Sequence, residues 1–211
     1  MMRRRISLAA AVLAGLLLGC TAAGQATTTP SGSEKVVLAG GCFWGVEAVF
    51  ESLKGVSNAV SGYAGGNAAT AHYEIVSTGE TGHAESVEVT YDPSKISFNQ
   101  LLQVYFLVAH DPTELNRQGP DTGTQYRSAI FYTTPQQKLA AESYIKQLER
   151  EKKFSNPIVT QVVPLKAFYA AEDYHQHFLA HNPYNPYIVF NDMPKLKHLR
   201  EQFPALVKAG S

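Results

Sequence analysis

Apolar residues recur along the chain with the two periods that distinguish strands from helices. Residues 36–39 form a short apolar run typical of a buried strand, and residues 84–91 alternate like a strand with one buried face. Between them, residues 46–53 follow a helical period. The apolar face of this predicted helix consists of Val46, Val49, Phe50 and Leu53. The pattern therefore predicts a strand and a helix that are followed by further strands.

The same reasoning extends to the rest of the chain and predicts its fold class. Ser97 with Gln100 forms a capping box that opens a helix lasting to about residue 110, and Thr134 before Pro135 opens another that lasts to about residue 153. Further strands are predicted at 56–63, 128–132 and 158–163, the last being the final clear strand. The resulting order of elements predicts an α/β (α+β) fold, a two-layer plait with added loops and a C-terminal extension.

Three stretches between or after these elements lack a clear period. Residues 67–83 and the polar, glycine-punctuated residues 110–128 are too long to be simple connections, which favours a functional role for both. Residues 182–190 are rich in Pro, Tyr and Asn and are expected to form an ordered loop packed on the body.

The first nineteen residues have the features of an export signal. Arg3, Arg4 and Arg5 precede an apolar run, residues 6–18, that is too short for a comfortable membrane span. The run ends in Leu-Leu-Gly-Cys at 17–20, which resembles the lipobox of bacterial lipoproteins, in which Cys20 would be lipidated. The alternative is an ordinary signal peptide with a chance cysteine. We therefore expect a lipoprotein signal peptide at 1–19, a flexible tether at 20–34 and a catalytic domain at 35–211.

Composition and charge indicate a globular chain and limit the classes of partner that we expect it to bind. With 45% hydrophobic and 17% charged residues the chain is globular. The 18 basic and 18 acidic residues balance, and loss of the three leader arginines leaves a net charge of about −3, so neither nucleic acid nor an anionic surface is an expected partner.

The leader predicts where the protein is located. We expect an exported protein that is lipid-anchored at the extracytoplasmic or periplasmic membrane face, with the outer membrane favoured in a two-membrane bacterium.

Cys42 lies where the first predicted strand turns into the first predicted helix. A helix N-terminus stabilises a thiolate, so the pKa of this cysteine is expected to be lowered, and Gly40 and Gly41 are expected to leave room above the sulfur. If Cys20 carries lipid, Cys42 is the only thiol of the mature chain, which excludes an internal disulfide. The alternative is a buried core cysteine whose neighbours Phe43 and Trp44 belong to the core.

Glu85 is the second residue that the pattern singles out. It shares a face of the 84–91 strand with Val87, Val89 and Tyr91. A carboxyl on a buried face has its charged form disfavoured, so its pKa should rise and the group could carry a proton at neutral pH. A position at the solvent end of the strand, or pairing with a buried cation, remains an alternative.

Three histidines, His175, His177 and His181, raise the question of a metal site. On a helix only His177 and His181 would share a face, and Cys42 would have to supply a further ligand. We therefore predict neither a metal nor a cofactor.

Several separated motifs resemble those of the peptide methionine sulfoxide reductase A family over about residues 35–203. They are Gly-Cys-Phe-Trp-Gly at 41–45, Gly-His-Ala-Glu at 82–85, the stretch 110–128 and Glu-Asp-Tyr-His-Gln at 172–176. The resemblance implies a ferredoxin-like core and reduction of methionine-S-sulfoxide, free or in proteins. It also implies roles for site residues: Cys42 as the nucleophile, Glu85 as the acid, Tyr73 and Tyr126 as donors to the sulfoxide oxygen, Phe43 and Trp44 around the methyl group, and Asp121 in substrate binding.

The chain departs from this family in its other cysteines. Many relatives carry resolving cysteines in a C-terminal tail, whereas residues 195–211 contain none and Ser77 stands where many relatives have a further cysteine. We therefore predict a single-cysteine enzyme, expected to be a monomer. Its sulfenic acid would be reduced by an external thiol, which could be a thioredoxin-like protein, a glutaredoxin or a small thiol.

Two other functions are compatible with the same residues. Cys42 could serve a hydrolase or acyltransferase with His83 or His175 as its base. Alternatively, a lipid-anchored binding module could hold methionine against Phe43 and Trp44 without any chemistry.

Overall fold

The computed structural model describes residues 32–210 of the 211-residue chain. The predicted signal peptide, Cys20 and most of the predicted tether lie outside the described residues, so the predicted domain boundaries stay predictions. Within residues 32–210, none of the helices combines the length and the apolarity needed to span a bilayer.

Eight strands and six α-helices make up the described chain. The strands are β1 Glu34–Ala39, β2 Val56–Ala64, β3 Ala84–Tyr91, β4 Arg117–Gln118, β5 Asp121–Thr122, β6 Ala129–Tyr132, β7 Gln161–Pro164 and β8 Phe168–Ala170. The helices are α1 Phe43–Glu51, α2 Tyr73–Val76, α3 Phe98–Val104, α4 Pro135–Arg150, α5 Phe178–His181 and α6 Met193–Gln202. Two π-helical turns, Tyr105–Ala109 and Ile188–Asp192, extend α3 and precede α6.

Six of the strands form one sheet in the order β7-β6-β1-β3-β2-β8. All neighbours are antiparallel except the parallel pair of β6 and β7. The inner four strands, with α1 between β1 and β2 and α3 between β3 and β6, have the connectivity of a ferredoxin-like plait. The predicted fold class is confirmed, and β7 and β8 widen the sheet at its two edges.

The main core lies between one face of the sheet and the helices. Val36 and Leu38 of β1 and Val87 and Val89 of β3 are fully buried there. The predicted apolar face of α1, consisting of Val46, Val49, Phe50 and Leu53, is buried against them. The opposite face of the sheet carries a smaller cluster centred on Phe131. The period of the sequence therefore predicts which side of α1 faces the sheet.

The pairing of β1 with β3 determines where the segments that carry Cys42 and Glu85 meet in space. Leu38 lies opposite Val87, and β1 ends one residue later. Because the strands are antiparallel, the end of β1 and the start of β3 lie at the same edge of the sheet. Cys42, three residues beyond β1, and Glu85, the second residue of β3, are thereby brought together.

The structure corrects the sequence-based elements in four places. The strand predicted at 158–163 begins only at Gln161, and it is followed by a further strand, β8, which pairs with β2. The stretch 67–83 contains α2 and a short 3₁₀ turn, Ala68–Thr70. The β4–β5 hairpin lies in the predicted 110–128 loop. The last part of the predicted loop 182–190 is helical instead, because the π-helical turn that precedes α6 begins at Ile188. These elements are short or stabilised by tertiary contacts, so their local patterns are weak.

Candidate active site

Cys42 is the N-cap residue of α1, and the two glycines before it are required by packing. A Cβ atom at Gly40 would lie 2.8 Å from the His110 ring, and one at Gly41, where φ is +89°, would lie 2.5 Å from Gln118 Cγ. The space on the Cβ side of both glycines is thus filled by the protein's own side chains, and the expectation that the glycines leave room above the sulfur stays a prediction. The glycines let His110 and Gln118 pack against the turn that carries the thiol.

A cavity of about 290 Å³ opens beside the thiol. Its lining includes all seven residues that the sequence assigns to catalysis and substrate binding: Cys42, Phe43, Trp44, Tyr73, Glu85, Asp121 and Tyr126. Asn185 and Tyr187 complete the lining. Residues from five separate segments of the chain therefore converge on one pocket, which is the candidate active site.

Glu85 lies on the buried face of β3, as its register predicts, with 3% of its surface exposed. Its Oε2 accepts a hydrogen bond of 3.1 Å from the backbone N–H of Phe43 rather than pairing with a cation. Burial raises the pKa of this carboxyl to about 8, the Phe43 N–H opposes the shift, and the nearby charge of Asp121 adds to it. At neutral pH Glu85 therefore carries a proton that it can donate.

Cys42 is 8% exposed, and its pKa lies well above the usual value. Burial is the largest cause, and the charges of Glu85 and Asp192 add to it. The backbone N–H of Trp44 and the charge of Lys195 act in the opposite direction. The expected lowering of this pKa is wrong, because the favourable helix N-terminus is outweighed by the loss of water around the sulfur.

The two predicted tyrosines keep their hydroxyl protons. Burial raises the pKa of Tyr73 and of Tyr126, and the charge of Glu85 is the next cause for both. Two phenol donors and one carboxyl donor therefore face the same cavity as the thiol. Such a set can hold an oxygen atom that gains negative charge.

Asp121 and the aromatic residues form the remaining walls of the cavity. The Tyr187 hydroxyl donates to Asp121 Oδ2, and burial raises the pKa of Asp121. The Trp44 ring stacks on Phe178 with 3.7 Å between ring centroids, and its indole N–H donates to His175 Nδ1 over 3.1 Å. These contacts hold the Trp44 ring in one orientation at the pocket wall.

The histidines named as possible bases for Cys42 are engaged elsewhere. His83 Nδ1 accepts from the Gly66 N–H, so its Nε2–H donates to the Asn67 carbonyl. His175 Nδ1 accepts from Trp44, and its Nε2 is buried without a hydrogen-bond partner in the described chain. Among residues 32–210, neither ring forms the cysteine–histidine hydrogen bond that a cysteine hydrolase requires.

The three C-terminal histidines do not gather around Cys42. His177, in the left-handed region with φ of 53°, instead meets Glu47 and Glu51 of α1, and potential ligand atoms of these three residues lie within 4.8 Å of one another. Hydrogen bonds already join these three residues. The backbone N–H of His177 donates to Glu47 Oε2 over 3.0 Å, and the ring atom His177 Nδ1 lies 2.5 Å from Glu51 Oε1. The group ties α5 to α1 away from the pocket lining.

Sequence reasoning missed four residues in or beside the pocket, Asn185, Tyr187, Asp192 and Lys195. All four lie in the segment between α5 and the first turn of α6. Its richness in Pro, Tyr and Asn indicates an ordered segment, but nothing local indicates that it turns back onto the start of α1.

Comparison with known proteins agrees with this geometry. The sequence profile of a family described as "Peptide methionine sulfoxide reductase" matches residues 34–206. The relatives include Peptide methionine sulfoxide reductase MsrA 2 of Mesorhizobium japonicum, 62% identical with 83% of this chain and 90% of the relative covered. The protein with the same description from Synechocystis sp. is 54% identical, with coverage of 88% and 86%.

Solved structures agree as well. Mxr1 from Saccharomyces cerevisiae in reduced form superposes with a TM-score of 0.68 at 35% identity, covering 72% of this chain and 87% of that one. Methionine sulfoxide reductase A of Corynebacterium diphtheriae gives a TM-score of 0.65 at 39% identity, with coverage of 74% and 79%.

A buried thiol that shares a pocket with a protonated carboxyl and two phenols defines a cysteine-dependent enzyme. The chain belongs to the peptide methionine sulfoxide reductase family. It is accordingly an oxidoreductase of the MsrA type, and the family resemblance inferred from its motifs is confirmed.

Proposed function

We propose that this enzyme reduces methionine-S-sulfoxide by direct attack of Cys42 on the sulfoxide sulfur, with Glu85 as the general acid. The observation that carries the proposal is the placement of a carboxyl with a pKa of about 8 in the same 290 Å³ cavity as the thiol. A sulfoxide sulfur is electrophilic, and its oxygen must gain a proton before it can leave sulfur, so both groups are needed at once.

The reacting state has an ionised Cys42 and a protonated Glu85, so one of the two protons held by the pair has passed to solvent. The thiolate forms a bond to the sulfoxide sulfur while Glu85 transfers its proton to the oxygen. The resulting hydroxyl moves to the cysteine sulfur, and methionine departs with the electron pair of the broken sulfur–sulfur bond. Glu85 then regains a proton from solvent, leaving the net conversion of thiol and sulfoxide into sulfenic acid and thioether.

The other pocket residues orient the substrate. Tyr73 and Tyr126 donate hydrogen bonds to the sulfoxide oxygen and stabilise the charge that it gains. Phe43 and Trp44 enclose the methyl group, and Asp121, held by the Tyr187 hydroxyl, accepts a hydrogen bond from the substrate. Because methyl group and oxygen have separate places in a chiral pocket, one sulfur epimer fits, and the family analogy favours the S epimer.

An external thiol returns the enzyme to its reduced form. Cys42 is the only cysteine among residues 32–210, so no second thiol in this part of the chain can form a disulfide with it. Two equivalents of a thiol convert the sulfenic acid into the free Cys42 thiol, with one disulfide and one water as the other products. A thioredoxin-like protein, a glutaredoxin or a small thiol satisfies this requirement.

We also propose that the enzyme repairs oxidised methionine outside the cytoplasm. The support is the sequence of residues 1–20, whose basic start, apolar run and Leu-Leu-Gly-Cys ending resemble a lipoprotein leader. Lipid on Cys20 would hold the catalytic domain at the membrane surface, where its clients would be exported proteins.

A single turnover without reductant tests the proposed chemistry. The reduced protein is mixed with separated S and R epimers of methionine sulfoxide, methionine is counted, and Cys42 is trapped with a sulfenic-acid reagent. We expect about one equivalent of methionine from the S epimer only, together with a trapped sulfenic acid. The proposal would be contradicted if neither the S nor the R epimer yielded methionine while Cys42 was demonstrably reduced.

A further inference from the structure

A buried ion pair lies in the C-terminal segment beside the pocket. Asp192 is fully buried, and Lys195, whose side chain is 17% exposed, donates from Nζ to Asp192 Oδ1 over 3.0 Å. Asp192 Oδ2 is buried and has no hydrogen-bond partner within the described chain. Withdrawing two charges from water is costly, so a buried ion pair is weak evidence for stability and invites a search for another role.

This ion pair packs directly against the first turn of the helix that begins after Cys42. A Cβ atom at Gly45 would lie 2.0 Å from Asp192 Oδ1 and 2.9 Å from Lys195 Nζ. Gly45 follows Cys42 by three residues, and positions three apart on a helix are neighbours on one face. The absence of a side chain at position 45 thus gives the Lys195 ammonium access to the helix face that also carries the sulfur.

The charges in this region act on Cys42 in both directions. The charges of Glu85 and Asp192 raise the pKa of Cys42, whereas the charge of Lys195 lowers it. The charge of Lys195 also lowers the pKa of Asp121, of Asp192 and of His110. The uncharged titratable groups that face Cys42 are Tyr73, Tyr126 and Tyr187.

We propose that Lys195 is a positioning residue of the reductase reaction: Asp192 holds its ammonium group behind the first turn of α1, where the positive charge stabilises the anionic sulfur of Cys42. This inference rests on the proposed function, because an anionic sulfur is what attacks the sulfoxide. Lys195 acts through Cys42 and does not contact the substrate. It complements the helix N-terminus, which alone does not outweigh the burial of the sulfur.

The test compares variants in which Asp192 is already neutral. Replacement of Lys195 alone would leave the buried Asp192 carboxyl unpaired, so that it would take up a proton and both charges would be lost. Asp192→Asn is therefore combined with Lys195→Met, which removes the charge, or with Lys195→Arg, which keeps it. All proteins are full-length chains in detergent with Cys20→Ser, which leaves Cys42 as the only thiol. Lys197→Met is the control, since this side chain on the same helix is 77% exposed.

The first readout is the pH dependence of Cys42 alkylation by iodoacetamide, which reports the thiolate fraction without requiring turnover. We expect the alkylation midpoint of Asp192→Asn/Lys195→Met to lie about one pH unit above that of Asp192→Asn. Asp192→Asn/Lys195→Arg should match Asp192→Asn, and Lys197→Met should match the unaltered protein. The single-turnover rate of methionine formation should fall about tenfold with Lys195→Met and recover with Lys195→Arg.

Equal alkylation midpoints for the three Asp192→Asn proteins would overturn the proposal, as would a Lys195→Arg protein that behaves like Lys195→Met. A rate loss without a midpoint shift would likewise overturn it, since that is the result of a purely structural role. Should Lys195→Met not fold, Lys195→Gln removes the charge while keeping a polar head group. If no protein produces methionine, the proposed reductase chemistry fails, and the alkylation midpoints still decide the role of Lys195.

Discussion

At the scale of single residues, the site depends on two buried groups that both hold their protons at neutral pH. The thiol of Cys42 and the carboxyl of Glu85 both have raised pKa values, and burial is the main cause for each. Because their charges interact, they lose their protons as a pair rather than independently. Since the pKa of Glu85 is about 8 and that of Cys42 is raised well above its usual value, we expect the pair to lose its first proton at about pH 8, which leaves a state that includes the form proposed to react.

The pH profile and Glu85→Gln test this description. We expect the wild-type single-turnover rate to rise with pH toward about 8. Glu85→Gln keeps the volume and an acceptor for the Phe43 N–H but has no proton to give, so the rate should fall about 10²- to 10⁴-fold. The single-turnover rate of this variant should rise only above pH 8, since the buried thiol is then the only group of the pair that can ionise. The control is Glu88→Gln, which lies on the same strand as Glu85 and removes the ion pair of Glu88 with Lys35 of β1. It should leave both the rate and its pH profile unchanged.

The turn before Cys42 supports a second residue-scale prediction. Gly41→Ala would place a Cβ 2.5 Å from Gln118 Cγ at a φ of +89°, and should destabilise the fold by about 1–3 kcal/mol. Because Cys42 is the next residue, even a small displacement should lower the single-turnover rate about 100-fold. Gly119→Ala is matched to it, with φ of +55° and no atom within 4 Å, and should cost about 1 kcal/mol without affecting the rate. Equal rates in the two variants would show that the turn tolerates a side chain.

At the scale of elements, the sequence predicts a helix or strand when the contacts that stabilise it are local in the chain. The period-two run of β3 predicts a buried Glu85, and the capping box of Ser97 with Gln100 predicts the start of α3; both are present because each is determined within a few residues. Strand β8 has three residues and exists because β2 offers it a free edge. Such an element has no local signature.

The same distinction applies to the pocket. Cys42 and Glu85 follow from the residue pattern, whereas only the family resemblance indicates Tyr73, Tyr126 and Asp121. Asn185, Tyr187, Asp192 and Lys195 lie more than 140 residues beyond Cys42 along the chain, and only tertiary packing brings them back to it. No local period predicts that return.

The contact of His177, at the start of α5, with Glu47 and Glu51 of α1 supports a prediction about stability. Glu47 accepts the His177 N–H, and burial together with the charge of Glu51 raises the pKa of Glu47 from 4.5 to about 7. Between these pH values the folded state binds more protons than the unfolded state, so stability decreases as pH rises through this window.

Glu47→Gln keeps an acceptor for the His177 N–H and removes the ionisation. We expect this variant to lose less stability between pH 4.5 and 7, and to exceed the wild type by about 2 kcal/mol at pH 8. Urea unfolding at several pH values measures the effect. Glu201→Gln, 61% exposed on α6, should follow the wild type, and a Glu47→Gln curve parallel to the wild type would refute the assignment.

At the scale of the whole molecule, the prediction concerns residues outside the described structure. If Cys20 is a lipoprotein cysteine, the chain purified from a bacterial membrane should begin at Cys20 and carry the mass of its acyl chains. Cys20→Ser should lack that mass while retaining the single-turnover rate, since the family match covers residues 34–206. Intact-mass spectrometry decides the matter, and a free Cys20 thiol would exclude the lipid anchor.

The burial of Cys42 has a consequence for what happens between turnovers. An exposed thiolate is attacked by passing oxidants and can be carried beyond the sulfenic stage to acids that thiols do not reduce. A resting Cys42, 8% exposed and holding its proton, offers such oxidants a poor target. The same desolvation that disfavours ionisation thus lowers the rate at which oxidants attack the resting sulfur. A reductase whose cysteine is protected in this way can remain functional under the oxidative conditions that produce methionine sulfoxide.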